Sequence, residues 1–159
     1  MVATDKQQDF INIDDTQLYT IEQVATRTGL TKRTLRYYEE VGLLPPTGRT
    51  EGNYRRYREA DVQHLERIKE LRDLLGFSLT DIRELLSAEE ERGQLKAAYQ
   101  QETDTTTKLA QLDRVDEIIR QQLHLIEQKL TGLEQMRAAL LDKIARHERT
   151  RRKLLTEER

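Results

Sequence analysis

The sequence predicts an all-α protein with one small β-hairpin: a winged helix-turn-helix domain followed by a long C-terminal helix that needs a partner helix. Three observations predict this class. Two short amphipathic segments flank Gly29, the layout of a helix-turn-helix. A Gly-, Arg- and Tyr-rich stretch, "TGRTEGNYRRYR" at 47–58, then has the composition of a hairpin wing. Finally, apolar residues recur every three or four positions from Leu112 to Ile144, close to a heptad repeat. Composition agrees. At 36% hydrophobic, 35% charged and 5% aromatic, the 159 residues suit a small core joined to a long solvated helix.

Residues 1–17 are polar and aperiodic, and are expected to form a mobile arm. Residues 18–87 are expected to form the winged domain. In "YTIEQVATRT", Ile21, Val24 and Ala25 share a helical face, with Thr20 as N-cap and Gln23 at the capping-box position. Gly29 allows a sharp turn, Leu30 anchors it, and Thr31 caps a second helix with Leu35 and Val41 inward, which stops at Gly42 before Pro45 and Pro46. Gly48 and Gly52-Asn53 are turn residues, and Tyr54 and Tyr57 suit strands. A third helix from Ala60 to Leu75 carries Val62, Leu65, Ile68, Leu71, Leu74 and Leu75 at helical spacing until Gly76 breaks it. Ser78 caps the next helix, which buries Leu79, Ile82, Leu85 and Leu86. Residues 88–108 read as a polar helical linker region with Gly93 as its weak point, and "TDTTT" at 103–107 offers several N-caps.

Residues 109–155 carry the seam Leu112, Val115, Ile119, Leu123, Ile126, Leu130, Leu133, Met136, Leu140 and Ile144, and residues 156–159 form a tail. A helix from 105 to 155 would span about 75 Å. Gly132 inside it costs about 1 kcal/mol. A lone amphipathic helix of that length leaves its seam in water. The simplest remedy is a second copy, giving a coiled-coil homodimer.

The net charge of −2 hides a local imbalance: residues 27–58 hold eight Lys or Arg against three Glu. On the second helix, Lys32, Arg33, Arg36 and Tyr37 occupy the early turns. Cations oppose the helix dipole there, and an external anion resolves the conflict. Nucleic-acid phosphate fits, with the helix entering a major groove N-terminus first. An ordinary solvated helix with an Arg36–Glu40 ion pair is the alternative. The second basic-aromatic cluster on the wing favours DNA. Thr20, Thr34, Tyr38, Arg49, Tyr54, Arg55, Arg56 and Tyr57 complete the candidate DNA-binding set, since Arg, Tyr and Thr can all bond phosphate. Glu39 and Glu40 would face away from the duplex or orient an Arg.

The stretch over residues 19–87 closely resembles the N-terminal domain of MerR-family transcriptional regulators. The likeness rests on "TLRYYEEVGLL", the wing pattern R-x-x-x-x-Y-R-x-Y, the "DV" opening the third helix, and "LGFSL-x-x-I-x-E-LL". The C-terminal seam resembles the family's dimerisation helix, which pairs antiparallel. The resemblance implies a homodimer on a pseudo-palindromic promoter site. It also implies activation by bending and untwisting an over-long spacer, so that RNA polymerase reads both promoter elements. By matching positions, Arg36, Tyr37 and Tyr38 would contact DNA from the helix, and Tyr54, Arg55 and Tyr57 from the wing. Lys32 and Arg33 would set sequence preference, and Arg56 ranks lower.

Other classes are excluded or left open. There is no cysteine, so no thiolate metal site or redox switch. His64, His124 and His147 match no metal-ligand spacing. No catalytic constellation is present, so neither an enzyme nor a cofactor is expected. No apolar run suits a signal peptide or a membrane helix, which predicts a soluble cytoplasmic protein. No large effector domain is expected after the long helix begins, since few residues follow in this sequence. Five Lys or Arg at 146–153 suit a solvated helix end or a nonspecific DNA contact. Three possibilities stand for the inducer: a small apolar ligand in a pocket lined by Leu95, Tyr99 and the seam, a protein partner on the coiled coil, or none, the protein repressing or activating constitutively. A coiled-coil adaptor without specific DNA binding is the rival function.

Overall fold

The computed structural model describes residues 17–157. The arm expected at residues 1–17 lies outside them except for Gln17, as do residues 158–159 of the expected tail. Five α-helices and one two-stranded hairpin are described: α1 (Ile21–Thr28), α2 (Lys32–Glu40), β1 (Gly48–Arg49), β2 (Arg55–Arg56), α3 (Glu59–Lys69), α4 (Leu79–Gln101) and α5 (Thr105–Glu157). A π-helical turn, Glu70–Leu74, extends α3. The described residues divide into two compact units, the boundary lying between Glu84 and Leu85.

In the first unit, α1 begins as its sequence dictates. The Thr20 hydroxyl accepts the Gln23 N–H at 3.2 Å, and the Gln23 side chain accepts the Thr20 N–H at 2.8 Å. Val24 and Thr28 form the buried face. Gly29 closes the helix at φ +69°, a left-handed conformation that costs glycine no steric clash. Leu30 then dives into the core, and Thr31 caps α2 by accepting the Thr34 N–H at 3.1 Å. On α2 the buried residues are Leu35 and Tyr38, three apart on one face. Val41, expected inward, is only half-buried, because the chain leaves the helix there and Leu43 and Leu44 take the interior places.

The hairpin pairs Gly48 with Arg56 and Arg49 with Arg55, antiparallel. Its turn places Asn53 at φ +62°, which Asn tolerates better than most residues. A bridge not foreseen from sequence extends it: Tyr19 and Tyr57 exchange both backbone hydrogen bonds, at 2.8 and 2.9 Å. The segment before α1 is thereby stitched to the wing. Beneath lie Val62, Leu65 and Ile68 of α3, each fully buried. After Lys69 the periodicity changes. The Leu75 N–H bonds the Glu70 carbonyl five residues back, so the extra residue per turn rotates the chain. Leu71 stays buried, but Leu74 and Leu75, expected on the core face, are 77% and 46% exposed.

Gly76, at φ +67°, ends this stretch. The Ser78 hydroxyl accepts the Asp81 N–H at 3.1 Å and starts α4. The buried α4 residues are Ile82, Leu85 and Leu86, while Leu79 is half-buried. α4 continues through Gly93 to Gln101 without a break.

In the second unit α4 and α5 form an antiparallel helical hairpin. Arg114 Nε bonds Glu91 at 2.8 Å, and the Gln122 amide donates to the Leu85 carbonyl at 3.3 Å. Near the turn, Lys108 Nζ lies 5.1 Å from the centre of the Tyr99 ring. Asp104 is the N-cap that the threonine-rich run supplies. Its carboxylate accepts both the N–H and the hydroxyl of Thr107 at 2.8 Å. Among the described residues of α5, Ile118 alone is fully buried, a position outside the expected seam. Val115 and Ile119 are half-buried, and from Leu123 to Ile144 the seam residues are 40–63% exposed in the single chain. α5 stays helical to Glu157, so Thr156 and Glu157 belong to it. No helix among the described residues is long and apolar enough to cross a membrane.

Candidate nucleic-acid interface

The second helix exposes Lys32, Arg33, Arg36 and Tyr37 on the face opposite Leu35 and Tyr38. Arg33 and Arg36 have no acidic partner among the ion pairs of the described residues, and the Arg36–Glu40 pair of an ordinary solvated helix does not form. Lys32 reaches back to Glu22 on α1 at 2.7 Å. Both side chains are largely exposed, so water and salt screen the pair, and a phosphate can compete for the lysine. The Thr34 hydroxyl shares a hydrogen bond of 2.8 Å with that of the Thr31 cap, and Thr20 is committed to capping α1.

Glu39 joins α2 to the wing. Its carboxylate accepts the Tyr57 hydroxyl at 3.0 Å, Arg55 Nε at 3.1 Å and the Thr47 hydroxyl at 3.3 Å. The site thus gains an organising acid: Glu39 holds Arg55 by Nε alone. On the wing, Arg49 donates to the Asn53 side chain at 3.1 Å, and Arg56 donates to the Arg55 carbonyl at 3.3 Å. Tyr54 is 70% exposed. Its ring folds over Gly52, where a Cβ would lie 2.9 Å from the ring edge.

Two of the residues expected to contact DNA are buried. Tyr38 is 1% exposed and Tyr57 fully buried. Arg72 donates to the Tyr38 hydroxyl, and Tyr57 donates to Glu39. Burial raises the hydroxyl pKa of both, and for Tyr57 the bond to Glu39 raises it further. Both tyrosines are engaged in contacts within the first unit. Tyr38 sits three residues from Leu35, which periodicity alone could have flagged. Sequence reasoning also missed that Arg27 is engaged within the fold although it stays on the surface. It makes a bidentate pair with Glu59 at 2.7 and 2.8 Å and lies over the Tyr19 ring at 5.0 Å. The basic count of residues 27–58 therefore overstates how many cations lack an acidic partner.

Residues 19–89 match the family described as MerR HTH family regulatory protein. The chain is 36% identical over 120 residues to the HTH-type transcriptional regulator YfmP of Bacillus subtilis, covering 76% of this chain and 86% of that protein. The chain belongs to the MerR family. As a MerR-family protein it is a DNA-binding transcriptional regulator and not an enzyme. It is also 34% identical over 109 residues to the heavy metal-dependent transcription regulator 2 of Rhizobium meliloti, covering 66% of this chain and 72% of that one. Among the described residues of this MerR-family chain no group of three or more His, Cys, Asp or Glu is placed to hold a metal ion. The fold resembles the crystal structure of a MerR-family regulator from Listeria monocytogenes at a TM-score of 0.52 and 21% identity, covering 79% of this chain and 83% of that one.

Proposed function

We propose that this MerR-family protein acts as a cytoplasmic homodimer that grips two half-sites of a promoter. The observation that carries the reading is the pairing of an exposed cationic face, Arg33 and Arg36 on α2, with a wing fastened to the same helix through Glu39. In this reading residues 18–87 form the DNA-binding domain, 88–108 the linker region and 109–155 the dimerisation coiled coil. α2 enters the major groove, Arg36 and Tyr37 bond phosphate or base edges, and Tyr54, Arg49, Arg55 and Arg56 follow the flanking backbone. Lys32 and Arg33 set sequence preference. The seam from Leu112 to Leu140 pairs antiparallel with its copy. The dimer then activates by bending and untwisting the spacer for RNA polymerase, with protein–phosphate contacts offsetting the deformation.

The test is fluorescence anisotropy on the duplex upstream of the protein's own gene, beside a scrambled duplex, over a salt series. Expected is tight binding to the native duplex and weak, salt-sensitive binding to the scramble. Arg36→Ala lowers the affinity and reduces the salt slope by about one, as expected for the loss of one phosphate contact. Indifference to Arg36→Ala, or no binding to either duplex at low salt, overturns the assignment of this face.

A further inference from the structure

The stripe that α5 leaves exposed is stricter than the seam read from sequence. α4 covers one side of α5, where Gln111, Ile118, Gln122 and Leu125 are buried or half-buried. On the other side, steps alternating between three and four run without a break from Leu109 to Leu154. That is a heptad repeat over about 68 Å of helix. It takes in Leu109 and Leu154, which lie outside the seam, and puts Asp116 and Arg137 where the seam has Val115 and Met136. Its leucines and isoleucines are 40–59% exposed, apart from the half-buried Ile119. Its polar members are Asp116, Arg137, His147 and Arg151. Leu95 and Tyr99, the residues expected around a ligand, line a half-open groove with Leu112 and Val115 at one edge of this stripe.

The polar members decide how a second copy can lie on the stripe. A parallel pair in register sets every residue against itself, so Asp116, Arg137 and Arg151 each meet a like charge, which is costly. An antiparallel pair that sets Leu130 against the partner's Leu133 avoids this. Moving outward, Leu123 meets the partner's Leu140, Ile119 the partner's Ile144, and Leu109 the partner's Leu154. Asp116 meets the partner's His147, a carboxylate against an N–H donor. Arg137 and Arg151 lie along the partner's Ile126 and the partner's Leu112, where their alkyl stems add cover and their guanidinium groups reach the rim. A slip of one heptad either way sets Asp116 against a leucine, the partner's Leu140 or the partner's Leu154, and leaves one end of the stripe without a mate. Neither member of the polar layer has a strong use in its own chain. Asp116 reaches Arg120 at 3.9 Å with both side chains exposed, and His147 has no partner among the described residues.

We propose that a second copy covers this stripe antiparallel in that register, with Asp116 and the partner's His147 as the polar layer that fixes it. A polar residue at one core position specifies register at a cost in stability. The register rests on the homodimer reading above. It assigns the basic C-terminal end of α5, through His147, Arg151 and Leu154, to the dimer interface.

The chain has no cysteine, so introduced thiols report the register directly. A disulfide needs Cα atoms within about 7 Å of each other. Full-length Leu123→Cys is refolded alone, or with an equal amount of Leu140→Cys, Leu133→Cys or His147→Cys, then oxidised mildly and read by mass spectrometry. Expected is a disulfide between chains with Leu140→Cys only. Capture of Leu133→Cys or His147→Cys reports a slipped register, and self-capture of Leu123→Cys reports a parallel pair; any of these overturns the proposal. Asp116→Lys is expected to weaken the dimer about tenfold in sedimentation equilibrium, with two such layers per dimer, and His147→Glu in the same chain to restore it. Asp116→Leu with His147→Leu tightens the dimer and spreads the disulfide over Leu140→Cys and Leu133→Cys. A disulfide that stays with Leu140→Cys in that background overturns the role given to the polar layer. Sedimentation of the native protein separates the two readings. A monomer sinks the homodimer reading itself, whereas a dimer with a different disulfide pattern sinks only the register.

Discussion

Glu39 takes three hydrogen bonds from two segments, Thr47 before the hairpin and Arg55 and Tyr57 at its far end, and one donor, the Tyr57 hydroxyl, has no exposure to water. Removing the acceptor strands that donor. Glu39→Ala is expected to cost about 1–3 kcal/mol in denaturant unfolding, whereas Tyr57→Phe, which deletes the donor and keeps the ring, costs about 1 kcal/mol. The double variant should fall short of the sum, since the two residues share one bond. Strict additivity would show that Glu39 and Tyr57 are independent. The same residue marks the limit of reading side chains from sequence. Arg33, Arg36, Tyr37 and Tyr54 are exposed where composition placed them, because charge and a helical face suffice to decide exposure. Tyr38 and Tyr57 are not. A tyrosine in a basic cluster has the same composition whether it meets phosphate or the core. Only contacts with Arg72 and Glu39, 34 and 18 residues away, decide between them.

At the scale of elements, the caps were legible and the departures from α-helical period were not. Thr20 with Gln23, Thr31, Ser78 and Asp104 each start a helix through a hydrogen bond that spans three residues, so local pattern is enough. The π-helical turn at Glu70–Leu74 follows no such local rule, and it moves Leu74 and Leu75 off the face that a 3.6-residue period assigns them. The turn between α4 and α5 is held by carboxylates whose pKa values lie below the ordinary range. Asp104 is lowered by the backbone and side chain of Thr107, and Glu102 by the N–H groups of Asp104 and Thr103. A depressed carboxylate contributes its stability above the unfolded pKa and loses it as pH falls through the folded one. Amide exchange across residues 102–108 is therefore expected to speed up on acidification below about pH 4, after correction for the intrinsic rate. Asp104→Asn keeps a cap and removes the titration at that residue, so part of the acid dependence should vanish with it. An unchanged profile would show that Asp104 does not couple the turn to pH.

Taken as a whole, the molecule leaves its longest element unresolved by its own chain. α5 has 53 residues, about 80 Å of helix, and α4 meets only its first third. Beyond that, Ile126, Leu130, Leu133, Met136, Leu140 and Ile144 are each at least 40% exposed along one stripe. The stripe was fully legible, since periodicity alone defines it. What it could not reveal was Ile118, because that residue faces away from the stripe and is buried by contacts the heptad pattern does not encode. Isolated helices gain little from propensity alone, and a stripe of this length holds its helix only when covered. Ile126→Lys puts a charge into the middle of it. The expected outcome is a monomer by sedimentation equilibrium at concentrations where the native protein is dimeric. Mean helicity should drop as the distal part of α5 frays, while the winged domain keeps its unfolding transition. Binding to the promoter duplex should fall to the level of the scramble, because one half-site provides only half of the contacts. A variant that stays dimeric would move the interface away from this stripe. One that binds its site tightly as a monomer would separate DNA recognition from dimerisation altogether.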